Sequence, residues 1–273
     1  MKRAVVIGIN YTGKPNALKG CVNDALDIRE MLVKKYEFRP QDIQVLVDDT
    51  RGAPGVPALP PTKVNVTSAF NNMIKEIRNG DHIVFTFSGH GVQAGADNGT
   101  RDESDGRDEC LLLSDGVLTD DEFSAMLARI PVGVKVSIIT DCCHSGTMCD
   151  LKHCAVSDAP FKSVRRLEET RAPAQRADII HFASAFDNQT ASDGSFEGKW
   201  VVAPNGKRQW EWGDFHGAFT WSLLEILEEL KYARVPSDVL LMRISENLAT
   251  KLKKEQRVTV SMSRPDLLSH PLF

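Results

Sequence analysis

Short runs of apolar and β-branched residues alternate along this chain with longer stretches carrying apolar residues at helical spacing, and that alternation most limits what it can fold into. Ala4–Ile9, Ile43–Val47, His82–Phe87, Cys110–Leu113, Val134–Ile139, Ile179–Ser184 and Val258–Met262 read as strands. Asn23–Lys35, with Leu26, Met31 and Leu32, reads as a helix, as do Thr62–Asn79, a segment from Thr119, His216–Lys231 and Pro236–Lys253. The strand runs are almost continuously apolar, the mark of strands buried on both faces. An α/β fold is predicted, a mostly parallel central sheet with helices on both faces. Arg51–Pro61, rich in proline and glycine, reads as a loop, as does the polar stretch from Ala94.

With 273 residues the chain is long enough for one large domain and a sizeable core. Its net charge of −4 argues against a nucleic-acid protein, which would carry a basic excess. Met1-Lys2-Arg3 leads straight into an apolar run too short for a signal peptide, and no long uncharged apolar run is present. An intracellular, cytoplasmic protein without a membrane span is expected. Four of the six cysteines fall between Cys142 and Cys154, which is no disulfide framework. Reduced thiols are expected.

Two motifs follow predicted strands. Ser88-Gly89-His90-Gly91 comes after His82–Phe87, and Asp141-Cys142-Cys143-His144-Ser145-Gly146 comes after Val134–Ile139. A parallel sheet brings both strand ends to one edge, where a thiol and an imidazole can act as nucleophile and proton partner. A thiol near its ordinary pKa is mostly protonated at neutral pH, so a catalytic cysteine needs such a neighbour. His90 lies fifty-three residues before Cys143, close to the spacing of about 50 in caspase-type signatures. Backbone N–H groups of Gly89 and Cys143 are the candidate oxyanion hole.

The same segments support other readings. Cys142, Cys143, His144, Cys149, His153 and Cys154 crowd as zinc ligands do, although adjacent pairs converge poorly on one tetrahedral ion. Gly8–Lys14 matches the start of a phosphate-binding loop, but Pro15 stands where a magnesium-holding hydroxyl belongs. Carboxylates are dense from Asp97 to Glu122, with Asp150 further on. Such a run is either a solvated loop or the oxygen-rich donor set that calcium takes. Lys162, Arg165, Arg166, Arg171 and Arg176 stud residues 155–177, a segment without periodicity that reads as a basic linker or loop.

Taken together the motifs resemble those of the metacaspases, caspase-fold cysteine peptidases. The resemblance runs through Gly8-Ile9-Asn10-Tyr11, Leu18–Asp24, Ser88–Gly91, Asp141–Gly146, Ala183–Ala191 and Gly217-Ala218-Phe219-Thr220. It covers nearly the whole chain and looks like type I, without the proline-rich N-terminal extension. It implies one caspase-like domain, with a large-subunit-like region over 1–154, the basic linker over 155–177 and a small-subunit-like region over 178–273. It implies His90 and Cys143 as the dyad, and cleavage of peptide or protein substrates after Arg or Lys. Cys21, Asp24, Ser88 and Asp141 match the positions that line the pocket for that basic side chain. Asp108, Asp120, Asp121 and Asp150 match the positions of an activating, non-catalytic calcium ion. The resemblance further implies a monomer. A peptidase cutting after Arg or Lys could process its own basic linker; the other reading of that segment is a merely solvated loop. A non-catalytic interaction or regulatory module of the same fold is the alternative, with zinc or nucleotide binding behind it.

Overall fold

The computed structural model describes residues 1–49, 55–95, 107–143, 148–167, 175–184, 193–195, 199–202, 208–211, 215–254 and 256–273, with backbone alone for 94–95, 107–108 and the segments between 193 and 211. His144-Ser145-Gly146, Arg171, much of the polar stretch after Ala94 and most of the 185–214 segment lie outside the described residues.

The N-terminal part runs β1 (Lys2–Gly8), α1 (Cys21–Tyr36), β2 (Ile43–Val47), β3 (Ala58–Leu59), α2 (Lys63–Ile74) and β4 (His82–Ser88). A three-stranded antiparallel excursion follows, made of β5 (Gly91–Gly95), β6 (Arg107–Leu112) and β7 (Val117–Thr119). Next come α3 (Asp120–Leu127), β8 (Lys135–Asp141), the hairpin β9 (His153–Asp158) and β10 (Ser163–Leu167), and β11 (Asp178–Ala183). The remainder holds β12 (Asp193–Ser195), β13 (Lys199–Val202), β14 (Arg208–Glu211), β15 (Phe215–Gly217), α4 (Ala218–Glu229), α5 (Ser237–Thr250) and β16 (Thr259–Met262).

Among the described residues nine strands form the main sheet, in the order β10-β9-β16-β11-β8-β4-β1-β2-β3. From β3 to β11 neighbours run parallel, and from β11 to β10 they alternate antiparallel. The predicted α/β class and mostly parallel sheet agree with this. Side chains alternate between the two faces of a strand, and two apolar layers result. Ala4 and Val6 of β1, Val84 of β4 and Ile139 of β8 pack with α1, α4 and α5. Val5, Ile7, Ile83, Phe85, Phe87, Val136 and Ile138 pack with α2 and α3. Phe85 and Phe123 approach to 4.8 Å between ring centroids, and such a pair adds about 0.5–1.5 kcal/mol beyond its buried area.

Local chemistry sets the helix ends. The Thr119 hydroxyl accepts the Glu122 N–H and the Glu122 carboxylate accepts the Thr119 N–H, a capping box opening α3. Helix α2 is shorter than the predicted Thr62–Asn79. It ends at Ile74 because Lys75 is extended and Glu76 takes a φ of 63°, while the Arg3 guanidinium donates to carbonyls of its last turn. Ile77 is still buried, so apolar periodicity outlasts the helix. Two loop expectations also change. Ala58–Leu59 pairs with β2 at the sheet edge. The basic segment is structured over 155–167 as the hairpin β9–β10, whose Arg165 and Arg166 remain exposed. Its strands alternate weakly because β10, at the edge of the sheet, buries none of its residues.

Candidate active site

Strand register and parity build the site. Ser88, the last residue of β4, pairs with Asp141, the last of β8, and Gly8 of β1 pairs with Ser88 from the other side. The two sequence motifs therefore leave the sheet side by side. Along β8, Val136, Ile138 and Cys142 face the α2/α3 layer, whereas Ile139 and Asp141 face α1 and α4. Cys142 is fully buried. Its backbone N–H donates to Ser184 Oγ at 3.0 Å and its carbonyl accepts the same hydroxyl at 3.1 Å. Cys143, the first residue past that alternation, is partly exposed. The pair thus divides into a core thiol and an accessible one.

Gly91 packs directly on the accessible cysteine: a Cβ there would stand 1.7 Å from the Cys143 carbonyl oxygen. No side chain fits that gap. His90, between Gly89 and Gly91, is held from several sides. Its backbone N–H donates to the Tyr11 hydroxyl at 2.9 Å, and that hydroxyl donates to the Leu112 carbonyl at 2.7 Å. The Tyr11 and His90 rings lie 4.6 Å apart. His90 Nε2 is 2.6 Å from the Asn16 carbonyl oxygen. A carbonyl only accepts, so Nε2 carries the proton, and in the neutral ring Nδ1 keeps its lone pair.

The Gly89 N–H does not sit where an oxyanion donor was expected. It donates at 3.2 Å to the Asp141 carbonyl, extending the β4–β8 ladder. Gly91 is better placed. The Leu112 N–H donates to the His90 carbonyl, which makes the next pair, Gly91 and Leu111, a non-hydrogen-bonded one whose N–H groups turn away from each other.

Three of the four pocket candidates converge on the α1/α4 side. Asp24, in the first turn of α1, is wholly buried. Its carboxylate accepts Ser88 Oγ–H at 2.6 Å, the Gly217 N–H at 3.1 Å and His216 Nδ1–H at 3.1 Å. Asp141 Oδ2 accepts both the Thr220 N–H and its hydroxyl at 2.9 Å. Gly217 fits between the two acids: a Cβ there would lie 2.1 Å from Asp141 Oδ2 and 3.0 Å from Asp24 Oδ2. Burial, reinforced by the Asp24 charge, pushes the Asp141 carboxyl up to about 7. Burial likewise raises Asp24, against the pull of His216, Ser88 and Gly217. Cys21, the fourth candidate, opens α1 and is buried, its N–H donating to Asn10 Oδ1 at 3.0 Å.

The other readings find less support. Asn10 Oδ1 also accepts the Val22 N–H, so the start of α1 is capped by the chain's own oxygen where a phosphate would otherwise bind. Cys142 and Cys149 are buried in the α2/α3 core, while Cys154 lies on β9 in the sheet. Among the described residues no three His, Cys, Asp or Glu side chains are grouped to hold a metal. The calcium candidates stand apart in character. Asp120 is buried, with Oδ2 accepting the Glu109 N–H at 3.0 Å and Oδ1 the Asp121 N–H at 2.8 Å. Asp121 is exposed, Asp150 sits in a left-handed turn at φ 44°, and the Asp108 side chain lies outside the described residues. Asp120 nonetheless holds the residue after Asp108, which keeps those two neighbours.

Sequence reasoning assigned no role to Tyr11, Asn16, His216, Gly217 or Thr220. Tyr11 and the Gly217–Thr220 run stood in the quoted motifs, a signal of importance without a mechanism. Nothing in the sequence marks Asn16, which acts through its carbonyl.

Comparison with known proteins accords with this geometry. Residues 2–152 match the family model described as metacaspase, peptidase C14 domain. Metacaspase-2 of Arabidopsis thaliana is 37% identical over 201 residues, spanning 70% of this chain and 47% of its own. Metacaspase-5 of Trypanosoma brucei brucei is 32% identical over 261 residues, spanning 86% and 49%. The chain therefore spans about half the length of these curated relatives. A crystal structure of a Geobacter sulfurreducens protein, 22% identical, shares the fold over 99% of this chain and 97% of its own, with a TM-score of 0.65. The family model covers more than half of the chain and includes both strand-end motifs, so the chain belongs to the metacaspase family and its α/β fold is the caspase-like one.

Proposed function

We propose that this domain is a cysteine endopeptidase that cleaves peptide bonds after Arg or Lys, with Cys143 as nucleophile and His90 as its proton partner. The observation that carries this reading is the pair of buried carboxylates, Asp24 in the first turn of α1 and Asp141 at the end of β8, beside the strand ends that lead to Cys143 and His90. Two acids buried together are costly without a cation, and a basic P1 side chain supplies one. An Asp next to a nucleophilic thiol would otherwise only hinder its ionisation.

In this mechanism Asn16 holds His90 Nε2–H, so that Nδ1 takes the proton from the Cys143 thiol. The thiolate attacks the carbonyl carbon after the basic residue, forming the C–S bond while the carbonyl electrons move onto oxygen. N–H groups of Cys143 and Gly91 receive that oxyanion. The imidazolium then protonates the leaving amine as the C–N bond breaks, and water hydrolyses the thioester with His90 as base.

Activation by calcium is part of the proposal. It rests on the resemblance and on the placing of Asp120 beside the strand that bears Asp108, and a bound ion would order loops near the site. No chemical step passes through it.

The test is a set of fluorogenic peptides differing only in P1, as Arg, Lys, Asp or norleucine, assayed with calcium and with chelator. Arg and Lys peptides should be cleaved, activity should rise with millimolar calcium, and Cys143→Ala should abolish turnover. Preference for Asp, or cleavage surviving Cys143→Ala, would refute the assignment. Full activity in chelator, unchanged by Asp120→Ala, would remove calcium. No turnover together with no labelling by an Arg-directed thiol-reactive inhibitor would favour the non-catalytic module.

A further inference from the structure

The two buried carboxylates need more than hydroxyl and amide donors to stay ionised. Asp24 is 0% and Asp141 4% exposed, and each accepts neutral hydrogen bonds from Ser88, Gly217 or Thr220. Among the described residues, the one ionisable basic side chain within ion-pair range of either acid is His216. It sits on β15, directly before Gly217, and is itself buried. Its Nδ1 lies 3.1 Å from Asp24 Oδ1, and its Nε2 lies 3.7 Å from Oδ2 of the half-exposed Asp27. Asp24 and Asp27 are both on α1, so the imidazole is clamped between carboxylates one turn apart. Asp27 and His216 also line a cavity of about 370 Å³ between α1 and α4, together with Glu30, Trp221 and Glu225.

We infer that His216 is a positioning and specificity residue, which donates through Nδ1 to hold the Asp24 carboxylate ionised and aimed into the pocket for a basic P1 side chain. The inference rests on the proposed Arg/Lys specificity and adds to it the group that sets the pocket's charge. An acceptor facing Nδ1 fixes the proton there, and the Asp27 carboxylate at the far nitrogen favours the charged ring. A Ser hydroxyl and one backbone N–H would remain to Asp24 without it. Such a buried acid turns neutral more readily than one facing a cation. His216 is not catalytic in this scheme, since it is placed against the pocket acid and not against the reacting atoms.

The test compares wild type with His216→Ala and His216→Asn. The Asn side-chain amide can reach the Asp24 oxygen that Nδ1 reaches, so it restores the donor without the charge. Steady-state kinetics on an Arg-P1 peptide are read beside the rate of Cys143 alkylation by iodoacetamide, a small neutral probe that does not use the pocket. In His216→Ala, KM should rise about tenfold, which corresponds to about 1.4 kcal/mol. Alkylation should stay within about twofold, and His216→Asn, which returns the donor but not the charge, should recover part of the KM. An unchanged KM in His216→Ala, or a parallel fall in KM performance and alkylation that Asn does not rescue, would overturn the inference. Should His216→Ala fail to fold, His216→Asn with KM and alkylation equally impaired would do the same. A wild type that cleaves none of the basic peptides would instead take down the specificity reading, and this inference with it.

Discussion

Replacing Tyr11 by Phe removes one oxygen atom and tests how His90 is held. The ring stays, so its 4.6 Å contact with the imidazole is retained. The lost hydroxyl accepts the His90 N–H at 2.9 Å and donates to the Leu112 carbonyl at 2.7 Å. Tyr11 is buried, and burial keeps its phenol protonated and able to donate. Each such bond contributes about 0.5–1.5 kcal/mol net, and leaving a buried partner unpaired costs toward the upper end. Two bonds together give about 2 kcal/mol. For a chain of this size that lowers the melting temperature by about 4–8 °C. Both bonds bear on the backbone at His90 and its β6 neighbour. If half the loss falls on the imidazole's placing, turnover of an Arg-P1 peptide drops about fivefold. Thermal melts and kcat on that peptide measure the two effects. A melting temperature within about 1 °C of wild type, with kcat unchanged, would show that the hydroxyl bridge does not position His90.

Gly217→Ala should drive a methyl group into Asp141 and Asp24. It is expected to raise KM for basic P1 peptides by about tenfold or more, and normal KM would place the pocket elsewhere. The pH dependence follows from Asp141, whose folded-state pKa of about 7 lies above its ordinary value. Binding a cation needs the carboxylate, so KM for an Arg peptide should fall as pH rises toward 7 and then level off. Stability moves the other way: between about pH 4 and 7 the folded state holds the extra proton, so this group's contribution declines as pH rises. Asp141→Asn should flatten the stability trend, as followed by urea unfolding, and an unchanged slope would assign the trend to other groups. Cys142→Ala should cost about 1 kcal/mol of stability as a core change while keeping most peptide cleavage; loss of cleavage in a folded variant would move the nucleophile to Cys142.

Much of this architecture was legible because buried strands announce themselves. The apolar runs at Ile43–Val47 and His82–Phe87 fall almost residue for residue on β2 and β4. The parallel pairing of β4 with β8 puts the two motifs at one edge. The hairpin β9–β10 was not legible, since an edge strand that buries no residue carries no alternation to read. At the site, side chains with distinctive chemistry, His90, Cys143, Asp24 and Asp141, were visible as types. Interactions made through the backbone were not. The Asn16 carbonyl at His90, the Gly89 N–H spent on Asp141, and the place Gly217 leaves for two acids all depend on approach between distant segments. No residue type encodes them.

The alternation along β8 also limits how the chain can change length. Asp141 and Cys142 point to opposite faces of the sheet, and Cys143 follows only because the strand stops there. Deleting or inserting one residue inside β8 would exchange the faces of every side chain beyond that point. The carboxylate would then enter the aromatic layer under α2 and α3, and the core thiol would enter the α1/α4 side, where Asp24 lies. Change in steps of two would keep the faces but shift Asp141 off its partner Ser88. Engineering by insertion therefore has no tolerated step within β4 or β8, and has its freedom in the connections outside the sheet.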